Sequence, residues 1–162
     1  MKGQILEQLI ARFNGMIAKA ESDRAFAQQE ANSHKGAMAS RYDTFKQEAQ
    51  FMVAGCEKRI SELTKSVCAL REFAGSPALL RGPASTVKAG AIVTVLNSSG
   101  IQTVYFVLPA GGGEEITVDN RIYRTLTPMS PLGRALLNRE AGDCVEFQVD
   151  NKKQTLEIVD IA

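Results

Sequence analysis

No proline interrupts the chain before Pro77, and from Ile5 to Phe73 apolar residues recur at alternating spacings of three and four. That period is helical and lies close to a heptad. The first stripe runs Leu6, Ile10, Phe13, Ile17, Ala20, Ala27 and Ala31, and only Arg24 breaks it. The second runs Phe45, Ala49, Met52, Cys56, Ile60, Leu63, Val67 and Leu70, with a mild shift of phase between Cys56 and Ile60. Folding one stripe back on the other puts the pivot near Met38. The spacing therefore predicts an antiparallel two-helix coiled coil over residues 1–74 that turns at a tip near residues 32–41.

The stripe changes character along its length. Leu6, Leu9, Ile10 and Phe13 lie opposite Leu63, Val67, Leu70 and Phe73 at the base, whereas Ala20, Ala25, Ala27 and Ala31 lie opposite Ala49 and Phe45 towards the tip. Alanine buries little area, so the outer half depends more on helix propensity than on burial. A helix of about thirty residues is roughly 45 Å long, which is the reach of a probe. The remaining surface is mixed and polar (Gln28, Gln29, Glu30, Lys46, Gln47, Glu48, Gln50), without a second long hydrophobic face. A monomeric arm is expected rather than a helical dimeriser.

Several function classes drop out on composition. No run of about eighteen apolar residues exists to span a membrane, and the start Met-Lys-Gly-Gln does not read as a signal peptide, so a cytoplasmic protein is expected. The cysteines number 3, and Cys56 and Cys68 lie too far apart on one predicted helix to pair, so free thiols are predicted. His34 is the sole histidine and no Cys-x-x-Cys occurs, which leaves no metal-ligand spacing and predicts no cofactor. The net charge is +1 and is spread evenly along the chain, unlike the broad basic surface of a duplex-binding protein.

Gly75, Ser76, Pro77, Gly82, Pro83 and Ala84 mark a linker over residues 75–86. From residue 87 to residue 162 the period becomes two. Strands are expected at Ala91 to Leu96, Ile101 to Leu108, Glu115 to Val118, Arg121 to Leu126, Cys144 to Val149 and Gln154 to Ile161. The glycine loop from Ala110 to Gly113 is followed by no helix, so it reads as a flexible turn rather than a phosphate cradle. Mostly hairpin order predicts a twisted antiparallel sheet with one short helix on a face, and Val93, Val95, Tyr105, Val107, Val145, Phe147 and Ile158 are candidates for the inner side.

That short helix has a sharp start. Ser130 suits an N-cap and Pro131 the first helical position, Leu132, Leu136 and Leu137 supply an apolar face, and Asn138 suits a left-handed C-terminal cap. Arg134 falls on the opposite face, beside the rigid Ser-Pro corner, as a docking contact would.

The run Ser130-Pro131-Leu132-Gly133-Arg134-Ala135-Leu136-Leu137, followed by Gly142-Asp143 and a strand, resembles the signature of the C-terminal domain of the Gre transcription elongation factors, GreA and GreB. It departs from the usual form at Asn138, where that family more often has glycine. The order of parts is also similar over nearly the whole chain: a coiled coil, a linker and a globular domain like the FK506-binding-protein (FKBP) fold. The fold class expected is therefore α+β, an antiparallel two-helix coiled coil followed by an FKBP-like antiparallel sheet domain with one short helix. The resemblance implies a partner, bacterial RNA polymerase, with Ser130, Pro131 and Arg134 docking at the rim of its secondary channel and the arm reaching inwards, where it could come near nascent RNA or DNA.

In the cleavage factors of that family, an Asp and, three residues on, a Glu at the tip help hold Mg²⁺. Placing the family's tip tyrosine on Tyr42 puts Lys35 and Met38 at the two acid positions. Neither side chain offers the oxygen ligands Mg²⁺ takes. The tip residues His34, Lys35, Met38 and Arg41 are then neutral to positive, and a non-cleaving regulator is expected, neither an enzyme nor a metal binder. The alternative is a cleavage-stimulating factor that uses Asp43, with Glu30 the other carboxylate in reach. Prolyl isomerase activity is disfavoured, because the chain has no Trp and the aromatics Tyr105, Phe106, Tyr123 and Phe147 do not mark an apolar proline pocket.

Overall fold

The computed structural model describes residues 1–33, 39–76, 85–149 and 152–162, with backbone alone at 31, 33, 39–43 and 45. The chain divides into two compact units, Ala11–Val67 and the combination of Met1–Ile10 with Cys68–Ala162.

Two long helices, α1 (Lys2–Ser33) and α2 (Ala39–Ala74), make up the N-terminal half. In α1, residues Leu6, Phe13, Ala20 and Ala27 stand one heptad apart and all are buried. In α2 the inward series is Ala49, Val53, Cys56, Ile60, Leu63, Val67 and Leu70, each buried or half-buried. Here the structure corrects the expected stripe. Met52 is 58% exposed and Val53 takes its place, which restores a regular alternation of four and three and removes the phase shift. The two helices run antiparallel: Arg24 on α1 lies 4.0 Å from Glu57 on α2, and the two share a groove through Ala20 and Cys56. Phe26, Phe51 and Met52 are all more than half exposed, apolar groups that the mixed-charge reading of this surface left out.

In the other unit, β1 (Ile92–Asn97), β2 (Gln102–Val107), β3 (Glu115–Val118), β4 (Arg121–Leu126), β5 (Cys144–Val149) and β6 (Lys152–Ile161) form one sheet, and the helix α3 (Pro131–Leu136) lies between β4 and β5 in sequence. Strand order is β3-β4-β2-β1-β6-β5. Hairpins account for β1 with β2, β3 with β4 and β5 with β6, and β1 also pairs antiparallel with β6, with a bulge between Thr94 and Val95. The β2–β4 pair is parallel, Tyr105 standing beside Arg124 and Val107 beside Leu126. The sheet is thus mostly antiparallel.

Alternation sorts the side chains onto two faces, because successive residues of a strand point to opposite sides. On one face Val93, Val95, Val107, Leu126, Val145, Leu156 and Ile158 form a core closed by Leu132 and Leu136 of α3, with Tyr105 and Phe147 packed at its edge. All seven residues named for the inner side belong to this cluster. The opposite face is buried as well, through Ile92, Thr94, Val104, Phe106 and Tyr123. There the Tyr123 hydroxyl donates to the Met1 sulfur at 3.0 Å, while Ile5, Leu6, Leu9 and Leu70 of the same unit are fully buried. A buried phenol needs a partner for its O–H, and a thioether is a weak acceptor. Among the described residues no buried side-chain oxygen or nitrogen lacks a hydrogen bond.

The cysteines are free, Cys56 half-buried and Cys68 and Cys144 exposed. No helix among the described residues is long and apolar enough to cross a membrane.

Candidate functional site

The corner between β4 and α3 is built from backbone constraints. Ser130 has extended backbone angles (φ −69, ψ 156), and its Oγ accepts from the Gly133 amide at 3.0 Å, the N-cap bond expected from the sequence. The same hydroxyl donates to the Thr127 carbonyl at 2.8 Å, so one side chain ties the helix start to the end of β4. Gly133 is buried, and a Cβ there would meet the Thr127 carbonyl oxygen at 2.0 Å. Pro131 occupies the first helical turn and is exposed.

At the other end, the Leu137 amide donates to the Gly133 carbonyl at 3.0 Å, and Asn138 takes the left-handed conformation at φ 61. The Asn138 amide then donates to the Val87 carbonyl at 2.9 Å and the Val87 amide to the Arg139 carbonyl at 2.8 Å. The helix is therefore held at both ends, with Leu132 and Leu136 buried beneath it. Arg134 is exposed on its outer side, as expected, and Met129 next to the corner is 73% exposed. The exposed surface at this corner combines a cation, a proline ring and a thioether on a rigid frame. In the sequence nothing marks Met129, because a lone methionine before a Ser-Pro pair carries no pattern.

Beside the corner lies an open groove of about 640 Å³ bordered by Tyr105, Glu115, Arg124, Thr127 and Ser130. Arg124 Nε lies 2.8 Å from Glu115 Oε1, an exposed pair. Burial works to lower the Arg124 pKa, but the hydrogen bond with Tyr105 and the charge of Glu115 outweigh it and raise the pKa above its ordinary value. The glycine loop forms one wall and is not a free turn. The Thr125 hydroxyl donates to the Gly111 carbonyl and accepts from the Glu114 amide at 2.9 Å, and the Gly113 amide donates to the Thr125 carbonyl at 2.8 Å. Tyr105 and Arg124 meet only through the parallel β2–β4 pair, which no local sequence signal announces.

The tip residues His34, Lys35 and Met38 lie outside the described residues, and the side chains of Arg41 and Asp43, on the first turns of α2, do as well. Among the described residues no group of three or more His, Cys, Asp or Glu side chains is placed to hold a metal ion.

Residues 82–162 match the family described as "Transcription elongation factor, GreA/GreB, C-term". No curated protein sequence matches the chain significantly. Among solved structures, the chain is similar to GreA factor homolog 1 (Gfh1) of Thermus thermophilus, at 17% identity and a TM-score of 0.36, covering 99% of this chain and 94% of that one. It is similar to Thermus aquaticus Gfh1 at 18% identity and a TM-score of 0.38, covering 97% and 93%. A GreA/GreB elongation factor from Nitrosomonas europaea is similar at 16% identity and a TM-score of 0.36, covering 51% of this chain and 65% of that one. The family assignment rests on the match over residues 82–162.

Proposed function

Since the chain belongs to the GreA/GreB family of transcription elongation factors, we propose that it binds bacterial RNA polymerase at the secondary channel as a cytoplasmic, monomeric regulator of elongation or initiation, and that it does so without stimulating transcript cleavage. The observation that carries the docking half is the corner itself. Its Ser130 cap, the Gly133 contact and the left-handed Asn138 fix a short helix whose outer side presents Arg134, with Pro131 and Met129 adjacent. Rigid presentation lowers the ordering cost of binding, and an exposed arginine suits a carboxylate on the partner.

The non-cleaving half rests on chemistry at the tip. Lys35 and Met38 occupy the positions where the resemblance implies an acidic pair. A thioether and an ammonium do not fit Mg²⁺, which takes hard oxygen ligands, so no hydrolytic step is assigned to them. A positive tip suits RNA phosphate or a polymerase carboxylate instead. A second reading, cleavage stimulation, is favoured by one residue, Asp43, which follows Tyr42 on the first turns of α2.

Gel filtration of the full chain with purified bacterial core polymerase tests the docking half. Co-elution that is lost at high salt is the expected result. Separate elution at micromolar concentrations of both would contradict it.

A further inference from the structure

Among the described residues the buried polar side chains are Thr94 and Thr125, and Thr125 is 2% exposed. A buried hydroxyl costs stability unless it is bonded, and a valine of the same shape would fill the space in a strand at least as well. What the hydroxyl adds is direction. It reaches from β4 to the loop over residues 110–113, donating to the Gly111 carbonyl and accepting from the Glu114 amide at 2.9 Å. Two backbone bonds run beside it, from the Gly113 amide to the Thr125 carbonyl and from the Thr125 amide to the Glu114 carbonyl, both 2.8 Å.

The loop held in this way has one shape. Gly111 and Gly113 have φ of 72 and 90, the left-handed region that glycine enters without strain. Gly112 between them lies against the end of β4, where a Cβ would stand 2.9 Å from Thr127 Cγ2 and 3.1 Å from the Thr127 amide nitrogen. The corner in turn rests on Thr127. Its carbonyl accepts from the Ser130 amide at 3.1 Å and from the Ser130 hydroxyl at 2.8 Å, and it abuts Gly133. The Arg134 amide donates to the Ser130 carbonyl at 2.9 Å. A continuous line of contacts therefore leads from Thr125 through Gly111 and Gly112 to Thr127, Ser130 and the turn of α3 that bears Arg134. Groups packed this closely transmit a displacement instead of absorbing it.

We propose that Thr125 is a positioning residue for the docking corner: its hydroxyl clamps the glycine loop against Thr127 and so sets where Arg134 stands. The docking role of Arg134 is the reading proposed above, and this inference rests on it. Without the hydroxyl, the Gly111 carbonyl and the Glu114 amide lose that partner, the loop relaxes away from Thr127, and the corner loses a wall. Being buried, Thr125 acts on the partner without touching it.

Two measurements on the full chain test this, one with polymerase and one without, on variants whose circular dichroism matches the wild type. In titrations with purified bacterial polymerase, Thr125→Val is expected to weaken binding about fivefold, and Thr125→Ser, which keeps the hydroxyl, to stay within about twofold of the wild type. In an Arg134→Ala background Thr125→Val is expected to cost less than about twofold more, because the group it positions is gone. Gly112→Ala, with the hydroxyl intact, is expected to weaken binding as Thr125→Val does, by pushing on Thr127. In the free chain, the amide resonances of Gly133 and Leu137, whose protons lie in the bonds that hold α3, are expected to move in Thr125→Val and Gly112→Ala and to stay near the wild-type positions in Thr125→Ser. Wild-type affinity in Thr125→Val beside weakened binding in Arg134→Ala would overturn the proposal. So would equal weakening by Thr125→Val in both backgrounds, the mark of a general loss of structure, and so would Gly133 and Leu137 resonances that do not move. A wild-type chain that does not bind polymerase contradicts the docking reading instead, and the resonances of the free chain still decide whether Thr125 sets the corner.

Discussion

The carbonyl oxygen of Thr127 stands where the side chain of any residue larger than glycine at position 133 would begin, 2.0 Å from an ideal Cβ. Because the same carbonyl also accepts from the Ser130 hydroxyl and amide, it is pinned and has nowhere to go. Gly133→Ala therefore forces the corner apart. We expect a loss of at least about 2 kcal/mol, the range for overpacking against structure that cannot yield. Urea denaturation of the wild type and the variant checks it.

Gly15 is the opposite case. It is exposed inside α1, and a Cβ there meets nothing within 4 Å. Gly15→Ala should stabilise the arm by about 1 kcal/mol through helix propensity alone. The gain should appear in the helical signal of a denaturation curve.

The two glycines differ through tertiary structure, and that marks how far the sequence could be read. The helix caps were legible because Ser130, Pro131 and Asn138 act locally on a few neighbouring amides, and the structure has them as expected, with Asn138 at φ 61. Strands β3, β4 and β5 fall where alternation and turn residues placed them. The parallel β2–β4 pair was not legible, since hairpin signals describe only neighbours in sequence, and with it went the Tyr105–Arg124–Glu115 groove. In the arm, Met52 and Val53 are both apolar and one step apart. Only burial shows that Val53 belongs to the seam and that Met52, with Phe26 across the groove, faces outwards.

Arg134 is exposed while Leu132 and Leu136, on the other side of α3, are buried, so its removal should leave the fold intact. Arg134→Ala should weaken polymerase binding by about 1–3 kcal/mol, the range for losing an arginine at a docking centre. Its melting temperature should stay within about 1 °C, as for surface changes elsewhere. Unchanged affinity in a titration would place the docking contact elsewhere.

Burial lowers the pKa of Lys2 from its ordinary value of 10.5. Between its folded and unfolded values the unfolded chain holds more protons, so stability rises with pH across that window, and below it the partly buried charge costs stability. Lys2→Gln should remove this contribution. Thermal unfolding of both chains at about pH 8 and about pH 11, the higher lying above lysine's ordinary value, should show the wild type gaining on the variant at the higher pH.

The proposed function is that of a polymerase-binding factor that does not stimulate transcript cleavage. Stalled, backtracked transcription complexes made with purified bacterial polymerase test it most directly, with the labelled transcript followed after the full chain is added. The transcript is expected to stay intact beyond polymerase's own slow background, in the wild type and in Asp43→Ala alike. Release of short 3′ fragments that requires the chain and disappears in Asp43→Ala would contradict it.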